Sequence, residues 1–127
     1  MTAKVQLPAI FKDRRGEIQP IVMEECNDVA LITSKKGAIR ANHYHKTDSH
    51  YSYVLSGKIR YLTRPVDSIA PPSVELIGAG ELFYTPSNLE HLMFFEEDTV
   101  FLNVSLNNRD KEKYEDDVVR VTLDKFL

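Results

Sequence analysis

Apolar residues in this chain recur mostly at every second position, in short runs separated by turn-forming residues. Alternation of this kind is typical of strands, whose side chains point in turn to opposite faces of a sheet. Glycine, proline, asparagine and aspartate between the runs mark the turns. The runs predict nine strands, at residues 18–23, 29–33, 38–45, 51–55, 59–63, 74–77, 82–84, 91–95 and 99–106.

Two stretches depart from this pattern. Residues 65–73 include Pro71 and Pro72, which cannot donate to a strand ladder, so this stretch is predicted to be a loop connecting two halves of the chain. The charged segment 109–117 favours a short helical segment near the C-terminus. Many short strands with frequent turns predict an all-β fold, either a sandwich or a barrel, which leaves few strand edges open.

Composition and charge narrow the class of protein. A chain of 127 residues, 43% hydrophobic and 28% charged, is expected to form one globular domain over residues 1–127. Its net charge of -3 argues against nucleic acid as a partner. Residues 1–8 lack the apolar core of a signal peptide, and no apolar run approaches the roughly 20 residues that span a membrane. With one cysteine, Cys26, no internal disulfide can form, and we expect a cytoplasmic protein.

Candidate chemistry comes from the four histidines, His43, His45, His50 and His91. His43 and His45 are two residues apart, so on one strand both side chains point to the same face. A short connection can bring His50 beside that pair, and His91 begins a later strand. Imidazole is the commonest nitrogen ligand for a first-row divalent metal. A closed sheet that gathers all four side chains would therefore form a metal site.

The spacing of these residues resembles a known family. The two segments read Gly37-x5-His43-x-His45-x4-His50-x6-Gly57 and Gly80-x5-Pro86-x-Asn88-x2-His91. They resemble the first and second motifs of the cupins. The resemblance implies one cupin domain, folded as a double-stranded β-helix or jelly-roll barrel, with the ligands facing its interior.

Three positions depart from the cupin pattern. His50 stands where the family usually has glutamate, Asn88 replaces a glycine, and Phe95 replaces the usual asparagine after the last ligand. Asparagine also accepts left-handed backbone, so the turn at Asn88 is retained. Since none of the changes removes a ligand, the resemblance still implies a metal site.

A site made of four imidazoles adds no negative charge to the metal. The cation would keep its charge of about +2 and act as a stronger Lewis acid towards a carbonyl or an enediolate. An octahedral ion would leave two positions for water or substrate, whereas a tetrahedral zinc ion would leave none and be structural. The candidate metals are Mn, Fe, Ni, Co, Cu and Zn.

A narrower resemblance points to cupins that act on dTDP-keto-sugars, the 3,4-ketoisomerases and 3,5-epimerases. It rests on short patches: Phe11-Lys-Asp13-Arg-Arg15-Gly16, Arg40-Ala-Asn-His43-Tyr-His45-Lys46, and residues 98–102 and 109–117. Those enzymes need no metal. The resemblance implies that His45 or His43 is a general base beside a ketone and that Arg40 meets the diphosphate. A tyrosine would be the acid, and the spacing does not choose among Tyr44, Tyr53 and Tyr84.

Three functions remain open. The first is a metal-binding cupin enzyme in which the four histidines hold one divalent ion and a polar carbonyl or sugar substrate is isomerised, epimerised or cleaved with oxygen. The second is a metal-free sugar-nucleotide ketoisomerase or epimerase. The third is a non-catalytic cupin that binds a small ligand. We expect a homodimer from the fold likeness alone, and we expect the acidic run at 115–117 to be a solvated face.

Overall fold

The computed structural model describes residues 2–107 and 116–127. Within these ranges the chain forms twelve strands and one short 3-10 helix, η1 (Leu123–Phe126), and Asp116 and Asp117 are also helical. The strands are β1 (Lys4–Val5), β2 (Phe11–Asp13), β3 (Gly16–Ile18), β4 (Asp28–Ser34), β5 (Ile39–His45), β6 (His50–Ser56), β7 (Lys58–Pro65), β8 (Ser73–Gly78), β9 (Leu82–Thr85), β10 (Leu89–Phe95), β11 (Thr99–Ser105) and β12 (Val118–Arg120).

Ten of these strands form two antiparallel sheets of five strands each. The order in sheet one is β1-β9-β6-β11-β4, and in sheet two it is β12-β5-β10-β7-β8. The strands β2 and β3 pair only with each other, as a separate hairpin. The all-β prediction is confirmed. In the described part of the chain, no helix is long and apolar enough to cross a membrane.

The space between the two sheets is divided into an apolar half and a polar half. Along β6 the buried side chains are His50, Ser52 and Val54, so the strand begins polar and becomes apolar. On β11, which pairs with β6, Phe101 is fully buried in the apolar half. Asn103 lies in the polar half, opposite Ser52. The apolar half is therefore a packed core, and the polar half is available for chemistry.

A second, smaller core covers the outer face of sheet two. Leu92 lies next to His91 on β10 but faces the other way, and it packs with Leu62 and with Leu123 of η1. The C-terminal segment is held there by β12, which pairs with β5, and by the Leu123 amide, which donates to Oδ1 of Asn42 at 2.8 Å. This pairing brings the residues just before β12 to the end of β5.

Eight of the nine predicted strands overlap β4 to β11. The prediction for residues 18–23 is wrong, because the strand ends at Ile18 and residues 19–23 form none. Pro20 cannot donate to a ladder, and the Gln19 side-chain amide donates to the carbonyls of Pro8 and Pro20 instead. Of the predicted helical stretch, Asp116 and Asp117 are helical, whereas residues 109–115 lie outside the described residues.

The turn between β6 and β7 depends on a glycine, and we expect Gly57→Ala to destabilise the fold by at least about 2 kcal/mol. Gly57 has φ +101, and a Cβ added there would lie 2.6 Å from the Cα of Thr99. Gly80→Ala is a matched control, because Gly80 has φ +81 but a Cβ there would meet nothing within 4 Å. Gly80→Ala should therefore cost only about 1 kcal/mol of stability, the penalty for placing alanine at a positive φ. Urea unfolding of both variants measures the difference, and equal losses would contradict the close-contact argument.

Candidate functional site

A left-handed bulge in β5 aims the first two histidines into the barrel. Ala41 and Asn42 have φ of 69 and 62, and the register with β10 shifts between His91 and Leu92. Such bulges re-aim the side chains that follow them. His43 and His45 both come after the bulge and are buried.

The other two histidines enter from neighbouring strands. His50 begins β6 in sheet one, and His91 lies near the start of β10 in sheet two, paired with His43. Asn88 in the preceding turn has φ 59, the left-handed conformation expected for a residue that replaces glycine. Its amide donates to the carbonyl of His45 at 2.7 Å. The turn is therefore tied directly to the histidine strand.

All four predicted histidines meet in the polar half of the barrel. Each is buried, with at most 6% of the residue exposed. The ring centroid of His43 lies 4.7 Å from that of His45 and 4.8 Å from that of His91. The ring centroid of His50 lies 5.6 Å from that of His45. Imidazoles bonded to one cation at about 2.1 Å hold their centroids about 4.5–6 Å apart. The spacing of these ring pairs is within the range of histidines that share a cation.

The ligand atoms form two overlapping groups that share one histidine. One ligand atom from each of His43, His45 and His91 lies within 4.8 Å of the others. The same holds for His45, Asp48 and His50. His50 is thus turned partly towards Asp48, whose Oδ2 lies 4.0 Å from the Nδ1 of His50.

Hydrogen bonds on Nδ1 set the tautomer of two histidines. The Nδ1 of His91 lies 2.9 Å from the carbonyl oxygen of Leu89, and the Nδ1 of His45 lies 3.1 Å from Oδ2 of Asp117. Since a carbonyl or carboxylate oxygen can only accept, both Nδ1 atoms carry the hydrogen, and in the neutral rings Nε2 holds the lone pair. Outer partners of this kind are the usual support of metal-binding histidines. They equally prepare Nε2 to accept a proton.

Asp117 is held as a carboxylate by its surroundings. Burial acts to raise the pKa of Asp117, but the side chain and amide of Thr47, the amide of Asp48 and the ring of His45 donate hydrogen bonds to it. Together these bonds lower the pKa below its ordinary value. The prediction of a solvated acidic face fits the exposed Asp116 but is wrong for Asp117, and residue 115 lies outside the described residues.

Sequence reasoning did not assign a role to Asp117 or Asp48. Asp48 is buried, and its Oδ1 accepts from the amide of Asn107 at 3.2 Å. In the sequence, the feature that could suggest a site role for Asp48 is its position between His45 and His50. For Asp117 the signal was the resemblance of the 109–117 segment to the ketoisomerase tail.

The other predicted site residues lie away from the histidines. Tyr44 alternates with His43 and His45 and therefore faces the opposite side of β5. Arg40 is exposed at the start of β5, where its guanidinium donates to Oγ of Ser34 at 2.7 Å and to the carbonyl of Thr33 at 3.0 Å. It lines a cleft at the far end of the strand from the histidines. Its role as a phosphate partner stays a prediction.

A buried tyrosine forms the floor of the site. The Tyr61 ring centroid lies 6.3 Å from that of His91, and its hydroxyl shares a hydrogen bond with Thr85. Burial raises the pKa of Tyr61 well above its ordinary value, so this hydroxyl stays protonated. The residue marks the boundary between the polar and apolar halves of the barrel.

Comparison with known proteins found no matching family model and no matching curated protein. Solved structures do match. CapF, a capsular polysaccharide assembling protein from Staphylococcus aureus, aligns with TM-score 0.69 and 21% identity over 92% of this chain and 33% of the CapF chain. QdtA, a sugar 3,4-ketoisomerase from Thermoanaerobacterium thermosaccharolyticum solved with TDP, aligns with TM-score 0.69 and 22% identity over 92% of this chain and 88% of QdtA.

A third structure extends the likeness to an epimerase. ChmJ, a 3'-monoepimerase from Streptomyces bikiniensis in complex with dTDP-quinovose, aligns with TM-score 0.67 and 17% identity over 84% of this chain and 65% of ChmJ. The chain has the cupin fold. It spans about a third of the CapF chain, 33% of its length. The interior of the barrel at the histidine end is the candidate functional site.

Proposed function

We propose that this cupin is an enzyme whose four histidines, His43, His45, His50 and His91, hold one divalent transition metal. The observation that carries the proposal is the gathering of four buried imidazoles, two of them with Nδ1 committed to an outer acceptor. Imidazole is the commonest nitrogen ligand of first-row divalent metals, and all four of these rings are buried at one end of the barrel. A bound cation makes use of their lone pairs.

The residues of the chain would hold and orient such an ion. A bound divalent cation would act as a Lewis acid towards a carbonyl oxygen. Asp117 orients His45, and the carbonyl of Leu89 orients His91. Asp48 faces His50 at 4.0 Å, which is an electrostatic contact rather than a hydrogen bond. Because the four ligands are neutral, Asp117 and Asp48 supply the compensating negative charge from outside the ligand set.

The proposed substrate class is supported by the ligands of structures with the same fold. QdtA has been solved with TDP-4-keto-6-deoxyglucose and ChmJ with dTDP-quinovose. CapF has been solved with the inhibitor 3-isopropenyl-tropolone, and a tropolone carries a carbonyl and a hydroxyl oxygen on adjacent carbons. These ligands support a polar carbonyl or sugar substrate for this chain, such as a nucleotide sugar, and an isomerase or epimerase reaction.

The second candidate is a metal-free sugar-nucleotide ketoisomerase or epimerase. The contact between His45 and Asp117 favours it, because a carboxylate on Nδ1 prepares Nε2 to remove a proton next to a ketone. His43 lies beside His45 and is the alternative base. This candidate gives no role to His50, which is why we place the metal site first.

Metal analysis tests the proposal directly. The untagged protein is expected to retain close to one equivalent of a divalent transition metal, either as purified or after reconstitution. Less than about a tenth of an equivalent under both conditions would contradict the metal site. Incubation of the metal-depleted protein with dTDP-4-keto-6-deoxyglucose, followed by NMR, tests the second candidate, since a displaced carbonyl without metal would establish it.

The quaternary state and the location remain predictions. The hairpin of β2 and β3 supports a homodimer, because a two-stranded hairpin alone is marginally stable in water. Its cross-strand pair, Phe11 and Ile18, is 56% and 64% exposed. A second copy would give this pair a surface to pack on. The cytoplasmic location expected from the sequence stays a prediction.

A further inference from the structure

A preformed cavity of about 360 Å³ lies beside the histidine site and is used by neither proposed reaction. Thr63 of β7 lines it and is paired directly with His91. Leu89, two residues before His91 on β10, also lines it and shares the face of His91. Ser73 of β8 pairs with Thr63 and lines the same cavity. These residues make the cavity a neighbour of the site on the inner side of sheet two.

Both walls of the cavity are fixed in place. The first wall is the N-terminal segment, where the carboxylate of Glu75 accepts from the hydroxyl of Thr2 and from the amides of Ala3 and Lys4. The second wall is the turn that includes Asn88, whose amide is bonded to the carbonyl of His45. A cavity with fixed walls needs little ordering when a ligand enters.

The chemistry of the lining selects an uncharged group. Among the described residues that line the cavity, none carries a formal charge. The lining includes the apolar residues Pro65, Pro86 and Leu89, and the hydroxyl-bearing residues Thr63 and Ser73. A phosphate or carboxylate would lose its hydration here without gaining a cationic partner. An alkyl group or an uncharged ring would bury apolar surface without that loss.

We propose that this cavity is a subsite for an uncharged, mainly apolar substituent of the ligand whose oxygen atoms face the histidines. The inference rests on the proposed function, since it assigns the metal site and the cavity to two ends of one ligand. It also predicts which ligands bind more tightly. A ligand with an alkyl or ring substituent would occupy both the metal site and the cavity, whereas a hydroxy-ketone without a substituent would occupy the metal site alone.

The experiment compares tropolone with its isopropyl derivative on the metal-loaded protein by isothermal titration calorimetry. The isopropyl derivative is expected to bind at least about tenfold tighter, since each buried methylene-sized group contributes roughly fourfold in affinity. Ser73→Phe fills the cavity next to Thr63 and should abolish this advantage while leaving tropolone itself unchanged. Ser56→Phe is the matched control, because Ser56 is an exposed strand serine that lines the cleft at the opposite end of the barrel.

The outcomes separate the subsite from the metal site. Equal affinities in the wild type, or an advantage that survives Ser73→Phe, would overturn the subsite while leaving the metal site standing. A protein that takes up no metal would overturn the proposed function instead. The subsite is then decided on the metal-free protein by saturation-transfer NMR. Transfer to the isopropyl protons in the wild type but not in Ser73→Phe would support the subsite, and equal transfer in both would contradict it.

Discussion

Replacing His91 with alanine is expected to weaken metal binding by at least about a hundredfold, because losing even an outer partner of a ligand commonly costs about 10- to 100-fold. The His91 ring contacts those of the other three histidines, with centroids 4.8 Å from His43, 5.6 Å from His45 and 5.7 Å from His50. His50→Ala should have a smaller effect, of about tenfold, since His50 is turned towards Asp48. Competition with a chromogenic chelator measures both variants.

Tyr44→Phe is the control for this series. Tyr44 lies between His43 and His45 in the chain but faces the opposite side of β5. The Tyr44→Phe variant should therefore bind metal as tightly as the wild type. Circular dichroism of each variant separates a lost ligand from a lost fold. If folded His91→Ala binds metal as tightly as the wild type, the assignment of His91 as a ligand is wrong.

Asp117→Asn is expected to be nearly as damaging at the same site, although Asp117 is a positioning residue rather than a ligand. An asparagine amide can donate to Nδ1 of His45, which favours the tautomer with hydrogen on Nε2. That nitrogen could then neither bind a cation nor accept a proton. Metal affinity should fall about 10- to 100-fold. If the metal-free enzyme turns over a keto-sugar, kcat should fall by about ten-thousandfold with little change in KM.

Asp124→Asn is the matched control for that substitution. Asp124 lies in the same C-terminal segment, where its Oδ1 accepts from the side-chain amide of Asn42 at 3.1 Å, but it does not contact the histidines. Both the affinity and the turnover of this variant should match those of the wild type. Should Asp117→Asn also match the wild type, the tautomer argument for His45 would be untenable.

The strands and the histidine positions could be predicted because they follow from local patterns. Alternation along β5 places His43 and His45 on one face, whatever the rest of the chain does. Asn88 could be anticipated in left-handed backbone because asparagine accepts it. Ala41 could not, since alanine disfavours positive φ and only the surrounding sheet holds it there.

Long-range contacts could not be predicted from local patterns. Asp117 lies 72 positions from His45 in the sequence and reaches it only because β12 pairs with β5. Arg40 belongs to the same motif as His43, yet the strand carries it towards the other end of the barrel. Proximity in the chain therefore does not place Arg40 beside the histidines, and distance in the chain conceals the contact between Asp117 and His45.

The division of the barrel interior has a consequence for how this chain can change over evolutionary time. The packed end around Phe101 and Val54 maintains the fold, whereas the imidazole end contributes few apolar contacts to it. Substitutions at the imidazole end can accordingly alter the candidate site while the scaffold stays intact. The same partition separates the residues free to acquire new chemistry from those that must stay as they are.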